Sequence, residues 1–489
     1  MRNKGTDSFL SALVILLIMA FPNIGHAEWP MPGHDPQRTS HAPEDIMNPC
    51  AIPVWHREFD AYIPSRSQII TMEGHNGSLD TIFVTAADGI HALNPATGSE
   101  RWHYQMELPP GDSPSVSGNV IYIPGTDKKV HAVSVLDGTV LWKTAEAGAA
   151  FYVNPLVVSG RVFIGSHDGY FYCFNASNGT LAWYYKVGEP IGFAAAYTTN
   201  TEYPGGIVFF AANDCRAYAL RADTGTLIWK SMQLPADRFV AYWPVIVGDR
   251  ILLASSTQYP VVEDYSHQII QQEALFTDEQ EAEQNLSGNG TLNIQRMIDY
   301  FQNHPSRRSI FVLNNKTGQE AETAPFLWWG NNAGQRYPPA VGSDNVVWGM
   351  MPWLKSWFGT GRYIGWTIGS HYGKPIPGLN ADLESSDEPE AYSIIGNYIY
   401  HNDGGDGQDK GGIFDLNGGT AAFWAGFSTF KSAFGSYWGR WAERKYGNNF
   451  KDGALWAGST GIHGHQNPPV PLKGRVYFHR SNAVICMEP

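Results

Sequence analysis

The sequence predicts an all-β chain, an eight-bladed propeller of four-stranded antiparallel blades. Two observations carry this. Four segments repeat the same internal order: "TIFVTAADGIHALNPATGSERW", "NVIYIPGTDKKVHAVSVLDGTVLW", "RVFIGSHDGYFYCFNASNGTLAW" and "GIVFFAANDCRAYALRADTGTLIW". Their closing tryptophans, Trp102, Trp142, Trp183 and Trp229, stand 40, 41 and 46 residues apart. A period of that size marks stacked modules. Each unit also reads as strands: a β-branched and aromatic run, a polar turn, a second run, then a glycine-containing turn into the tryptophan.

The turns follow from residue chemistry. Asp88-Gly89, Asp168-Gly169, Thr97-Gly98 and Thr224-Gly225 supply positions where positive φ is tolerated. A further strand precedes each unit, as at "SPSVSG" from Ser113, "NPLVVSG" from Asn154 and "WPVIVGD" from Trp243. That makes four strands per blade, arranged radially so that blade faces pack and few edges stay open.

Insertions disguise the later repeats. "DRILLASS" from Asp249 resumes at "SIFVLNNKTGQE" from Ser309, "NVVWGMM" from Asn345 pairs with "GRYIGW" ending at Trp366, and "NYIYHND" from Asn397 continues into "GGIFDLNGGTAAFW" ending at Trp424. The carboxy-terminal "GRVYFHRSNAVICM" stops without its tryptophan, and "IPVWHREF" around Trp55 is the expected missing strand. The last blade is thus built from both chain ends. Eight blades give about 58 residues each, above the ~40–45 of a minimal blade, and the insertions absorb the excess. In the Tyr259 to Arg308 insertion, Thr291 is expected to cap a short helix that turns Ile294, Met297, Ile298 and Phe301 inward, ending near Pro305. The aromatic stretches Met351 to Gly373 and onward from Phe423 would roof the ring, offer an interaction surface, or clamp the insertions to the blades.

The first 27 residues read as a secretory signal: Arg2 and Lys4, an apolar Leu10 to Phe21, then Gly25-His26-Ala27. Residues 28–489 are expected to form one propeller in the periplasm or outside the cell, as a monomer with no stable membrane span after cleavage. With 33 basic against 46 acidic residues the net charge is -13, which argues against nucleic acid and polybasic membrane contact. Four cysteines are too few for a disulfide scaffold. A Cys50–Cys486 disulfide would lock the composite blade, the alternative being two buried thiols; Cys173 and Cys215 sit in different registers of adjacent repeats.

The turn-to-tryptophan segment Ala219 to Trp229 resembles the docking motif Ala-x-Asp-x-x-Thr-Gly-x-x-x-Trp of the pyrroloquinoline-quinone-like (PQQ-like) propeller repeat family, with Arg221 where the family has Asp. It recurs at Ala92 to Trp102, and more loosely at Ala132 to Trp142 and Cys173 to Trp183. Glu28 to Ser40, "EWPMPGHDPQRTS", is similar to the family's mature amino-terminal segment. The resemblance implies that each tryptophan packs on the Thr-Gly turn of a neighbouring blade. It also implies one of two functions: a quinoprotein dehydrogenase using PQQ with calcium and an Asp base, or a cofactor-free interaction scaffold. The adjacent-cysteine pair of the alcohol-dehydrogenase branch and any Cys-x-x-Cys-His haem attachment are absent.

Residues entering the inner strands are the candidate ligands at the channel mouth. Phe151, Tyr152 and Asn154 precede one; Arg238, Tyr242 and Trp243 another; Arg336 and Tyr337 a third; His465, Gln466 and Asn467 the last. Arginine, tyrosine, tryptophan, histidine and asparagine around one mouth suit a planar, anionic, oxygen-rich small molecule or a peptide of another exported protein. Asp403, Asp406 and Asp409 in "HNDGGDGQDKGG" form the most calcium-like loop, although their spacing is not that of an EF-hand and a solvated turn reads as well. Two readings therefore stand: an exported binding propeller without a catalytic constellation, and a calcium- and PQQ-dependent dehydrogenase of an alcohol or sugar. Glycan hydrolysis is disfavoured because no carboxylate pair can be placed.

Overall fold

The computed structural model describes residues 28–43, 50, 52–64, 66–255, 292–326, 337–353, 360–376, 383–384, 391–402, 412–423, 467–480 and 482–489. Within them the strands form eight sheets, one per blade. Blades 1 to 4 are uninterrupted and run from inner strands Ile70–Met72, Ser115–Ser117, Leu156–Val158 and Ala196–Thr198 out to Glu100–Gln105, Val140–Lys143, Leu181–Lys186 and Leu227–Lys230. In blade 5 the pair Pro244–Val247 and Arg250–Ala254 is completed, after the insertion, by Ile310–Asn314 and Glu320–Thr323. The expected pairing of blade 6 holds, with Val347–Trp353 antiparallel to Thr360–Trp366. Blade 7 runs from Ala391–Ile395 to Gly419–Phe423.

Blade 8 closes the ring from both ends of the chain. Val470–Leu472, Arg475–Arg480 and Ala483–Glu488 are joined by Ile52–Glu58, which pairs antiparallel with the last strand and sets Trp55 opposite Cys486. Buried β-branched and aromatic side chains alternate between blade faces, and inner strands of successive blades lie side by side around the axis.

The tryptophan girdle is explicit. Indole Nε1 of Trp55 donates to Pro95 O, Trp102 to Val135 O, Trp142 to Ala176 O, Trp183 to Ala222 O and Trp229 to Asn315 O, at 2.9–3.1 Å. Each acceptor lies in the turn of the following blade, and each ring covers that turn's glycine: Gly98, Gly138, Gly179, Gly225 and Gly318. The last pair bridges the blade 5 insertion, so the lengthened blade keeps the contact of the short ones.

One expectation is corrected. The helix in the insertion spans Gln295–Asn303 and starts at Ile294, with no side-chain cap; Leu292–Asn293 instead form a strand against Tyr372–Gly373 on blade 6. Pairing holds Leu292–Asn293 extended, and the Ile294 N–H donates to His371 O, so the helix begins only after them and Thr291 is too far upstream to cap it. Thr291 and the side chain of Met297 lie outside the described residues, while Ile294, Ile298 and Phe301 are buried as expected. The four cysteines are buried thiols and none is in a disulfide. Cys50 Sγ donates to Gly474 O, and its backbone N–H donates to the Tyr400 hydroxyl.

Candidate functional site

The inner strands turn an unpaired edge of backbone N–H groups toward the propeller axis, and such edges must find acceptors. Residues 29–42 supply them by winding through the channel. The N–H groups of Thr71, Val116, Tyr197, Ile246, Val341 and Ile394, one from each of six blades, donate to the carbonyls of Trp29, Pro30, Pro36, Gln37, Thr39 and Ser40. His41–Ala42 then lies parallel to the inner strand of blade 7. Met31 joins the buried apolar cluster that includes Leu156 of blade 3 and Ala195 and Tyr197 of blade 4.

The composition of this segment fits its task. Pro30, Pro32 and Pro36 offer carbonyls and have no N–H to leave unpaired. His34, Arg38 and Ser40 hold positive φ of 74°, 62° and 52°, a left-handed conformation that costs roughly 1–2 kcal/mol per non-glycine residue and persists only where surroundings enforce it. Gly33, at φ 76°, presses against Trp243, where an added Cβ would stand 2.9 Å from the indole nitrogen.

Arg38 is wholly buried. Its Nε donates to Ala195 O at 2.9 Å, Nη1 donates to Pro32 O, and the guanidinium stands 5.8 Å from the centre of the Trp243 ring. Nη2 has no hydrogen-bond partner. Burial pulls its pKa down to about 9, against the pull of Asp35 and Asp112, so it stays cationic at neutral pH. Burial works to raise the Asp35 carboxyl, but hydrogen bonds from His34 and Thr39 carry it below the ordinary carboxylate range. The segment thus brings its own counterion.

Gln68 keys the segment to the barrel of inner strands. Its Oε1 accepts from Trp29 Nε1 at 2.9 Å and from the Gly33 N–H at 3.3 Å, while Nε2 donates to the Tyr337 hydroxyl at 2.9 Å. Tyr337, Tyr242 and Trp243 meet edge to face, and Tyr392 adds a tilted contact with Tyr337. Beside them Asp112 takes hydrogen bonds from the Ser113 N–H at 2.6 Å and from Asn154 Nδ2 at 3.5 Å, and burial pushes its pKa upward. Asn154 Oδ1 is buried without a partner.

The sequence-predicted residues divide accordingly. Trp243 and Tyr337 come together, but as supports of the amino-terminal segment, 3% and 5% exposed. Asn154 joins Asp112. Tyr152 stands on the rim, 46% exposed, with its ring 4.6 Å from that of His167. Arg238 is exposed. Phe151 is core, and Asn467 exchanges hydrogen bonds with the His479 backbone. Arg336, His465, Gln466, Asp403, Asp406 and Asp409 lie outside the described residues. Arg38, Gln68 and Asp112 escaped sequence reading; the one available signal was the proline-rich run around Arg38.

The comparisons agree with this fold. The family described as "Outer membrane protein assembly factor BamB" matches residues 80–322. The protein of that name from Escherichia coli (strain K12) is 34% identical over 88 residues, covering 16% of this chain and 22% of that one. Its namesake from Yersinia pestis is 28% identical over 112 residues, 21% of this chain and 28% of that one. The match therefore spans about a quarter of the length of these curated relatives. Among solved structures, the quinohemoprotein alcohol dehydrogenase from Comamonas testosteroni superposes with TM-score 0.57 at 12% identity, covering 94% of this chain and 80% of that one. A europium-containing methanol dehydrogenase gives 0.54 at 12% identity, covering 81% and 85%.

Proposed function

The chain belongs to the PQQ-like β-propeller repeat family, and from that premise we propose that it is an exported binding propeller, acting without a resident quinone and recognising another exported protein at its channel mouth. One observation carries the reading. The centre of the ring is filled by the chain's own amino-terminal segment, and that segment uses Trp243, Tyr337 and Gln68. A planar quinone needs an open aromatic face with cationic donors beside it. Trp243 is 3% exposed, and Arg38, Tyr242 and Tyr337 surround its ring. The described residues do not fit such a ligand. Solvent-facing groups remain on the rim, at Tyr152, His167 and Arg238, and a rim of this kind suits a peptide or protein surface. The family match, to an outer membrane protein assembly factor, supports the same reading and a periplasmic location.

The test is a photo-crosslinking amino acid at Tyr152 or Arg238 in the full chain expressed with its export signal. Discrete cross-linked partners from both positions are expected, and none from a position on the outer strands such as Leu181. Equal labelling from all three positions would refute a mouth-directed site.

The second reading, a calcium- and PQQ-dependent dehydrogenase, rests on the fold likeness and on the buried Asp112–Asn154 pair with its unpartnered Oδ1. Absorbance titration of the purified protein with quinone and calcium separates the two. Saturable one-to-one binding followed by alcohol oxidation with an artificial acceptor would overturn the binding-propeller reading.

A further inference from the structure

On the outer half of blade 1, away from the channel, two histidines face each other across the ladder. Gly89–Leu93 and Glu100–Gln105 pair antiparallel with His91 directly opposite His103, and Asp88 occupies the turn just before the first of these strands. The two imidazoles stack with centroids 3.9 Å apart and planes at 10°. His91 Nε2 is 3.0 Å from Asp88 Oδ1, and His103 Nε2 is 3.7 Å from Asp88 Oδ2. All three residues present a ligand atom within 4.8 Å of the others.

Hydrogen bonding accounts for His91 alone. Its Nδ1 meets Glu100 Oε2 at 2.8 Å, and Glu100 is held in turn by Arg57 Nη2 at 3.2 Å, while Phe59 fixes the ring edge-on at 4.9 Å. His103 Nε2 is different. The atom is buried and has no hydrogen-bond partner, although it points at a carboxylate oxygen just out of range. A cation between the three would satisfy it. Donors about 2.1 Å from a tetrahedral metal stand about 3.4 Å apart, and the two nitrogen–oxygen separations, one to each oxygen of the Asp88 carboxylate, fall on either side of that value, so a small rotation of the carboxylate is needed to present one oxygen to the ion.

We propose that Asp88, His91 and His103 form a binding site for a divalent transition-metal ion, with Glu100 as the outer carboxylate that orients His91. Two imidazoles and one carboxylate suit Zn2+, Cu2+ or Ni2+ and not the oxygen-seeking Ca2+. Glu100 accepts from His91 Nδ1–H, which leaves the Nε2 lone pair for the metal; this carboxylate–histidine–metal relay recurs in protein zinc sites. Closing on the ion requires the two rings to tilt from their parallel stack. The half-exposed side of Asp88 leaves the fourth position open to water or to a donor from a partner.

The experiment uses the full chain, tag removed and stripped with EDTA, titrated calorimetrically with Zn2+ alone, and with Co2+ while its visible absorption is recorded. Saturable binding is expected, with a Co2+ band of low-symmetry, nitrogen-containing coordination. His103→Gln, which keeps the size of the ring's footprint, and Asp88→Asn should each abolish the event, and Glu100→Gln should weaken it by about 10- to 100-fold. Circular dichroism confirms that each variant is folded, and Asp88→Asn stands in if His103→Gln does not fold. No saturable Zn2+ binding by the wild-type chain, or binding undiminished in a folded variant, would overturn the assignment.

Discussion

Gln68 of blade 1 donates through Nε2 to the hydroxyl of Tyr337, which precedes the inner strand of blade 6, at 2.9 Å. The bond crosses the channel, and the other end of the same amide holds Trp29 and Gly33. One buried side chain therefore couples two blades that are not neighbours to the segment that fills the space between them.

Replacing Gln68 by Met tests that coupling. The substitution conserves volume but strands the Trp29 indole N–H, the Gly33 N–H and the Tyr337 hydroxyl away from water. A buried group left unsatisfied costs about 1–3 kcal/mol. Gln68→Met is expected to destabilise the protein by roughly 3 kcal/mol or more, read as a lower urea midpoint. The same variant should expose the amino-terminal segment to limited proteolysis ahead of the blades. A midpoint within error of wild type would mean that the segment is held by its carbonyls alone.

The girdle makes a paired prediction in blade 5. Gly248 and Gly318 both hold positive φ, 56° and 68°, but an added Cβ meets nothing within 4 Å at Gly248 and meets Trp229 at 2.3 Å at Gly318. Gly248→Ala should cost only the left-handed backbone strain, about 1–2 kcal/mol. Gly318→Ala must also displace the indole, adding roughly 1–3 kcal/mol, and should shift tryptophan fluorescence where Gly248→Ala does not. Equal losses in the two variants would leave Trp229 without a docking role.

The parts of the fold visible in sequence were those with local periodicity. Trp102, Trp142, Trp183 and Trp229 and their turns recur at fixed offsets because each blade must present the same ring to the same place on its neighbour. Trp55 was recognisable as the missing copy for that reason, and its pairing with the final strand follows. The course of the channel segment was not legible beyond its proline-rich run, because the contacts that route it past six blades run from backbone carbonyls to backbone N–H groups. Trp243 and Tyr337 stand out in sequence only as aromatics before inner strands; that Gly33 and Arg38 lie against Trp243 and Gln68 against Tyr337 is a tertiary fact no local pattern carries. Gln68 and Asp112 sit in unpatterned loops, and Thr291 was misread as a cap because pairing of Leu292–Asn293 with a distant strand is a tertiary effect.

The thiols give a third prediction. Burial pushes Cys173 and Cys486 up to about 12 and Cys215 upward as well, so little thiolate exists at neutral pH. Thiolate is the reactive form. A folded sample purified without reductant should react negligibly with a thiol reagent at pH 8 and show all four thiols after denaturation. Only two thiols after denaturation, with Cys50 and Cys486 linked by mass spectrometry, would show instead that the composite blade is locked covalently.

The last prediction concerns acid. Burial, with His34 nearby, pulls His41 from 6.5 down to about 4, and burial likewise lowers His131 despite its 2.9 Å contact with Asp127. A histidine whose folded pKa is depressed binds fewer protons folded than unfolded between those values, so its contribution is intact above about 6.5 and is lost as pH falls toward about 4. The lowered Asp35 carboxyl acts in the same direction, with its loss beginning below the carboxylate's unfolded value of 3.8. Asp112 opposes them, because its raised pKa makes protonation favour the folded state. Each pH unit in the histidine window costs up to about 1.4 kcal/mol per fully protected imidazole. The urea midpoint should therefore fall between pH 7 and pH 5, and His41→Gln should flatten that dependence by removing the imidazole that the channel segment itself carries. A His41→Gln variant with the wild-type slope would assign the acid sensitivity to His131 and the other buried histidines, and away from the segment that threads the ring.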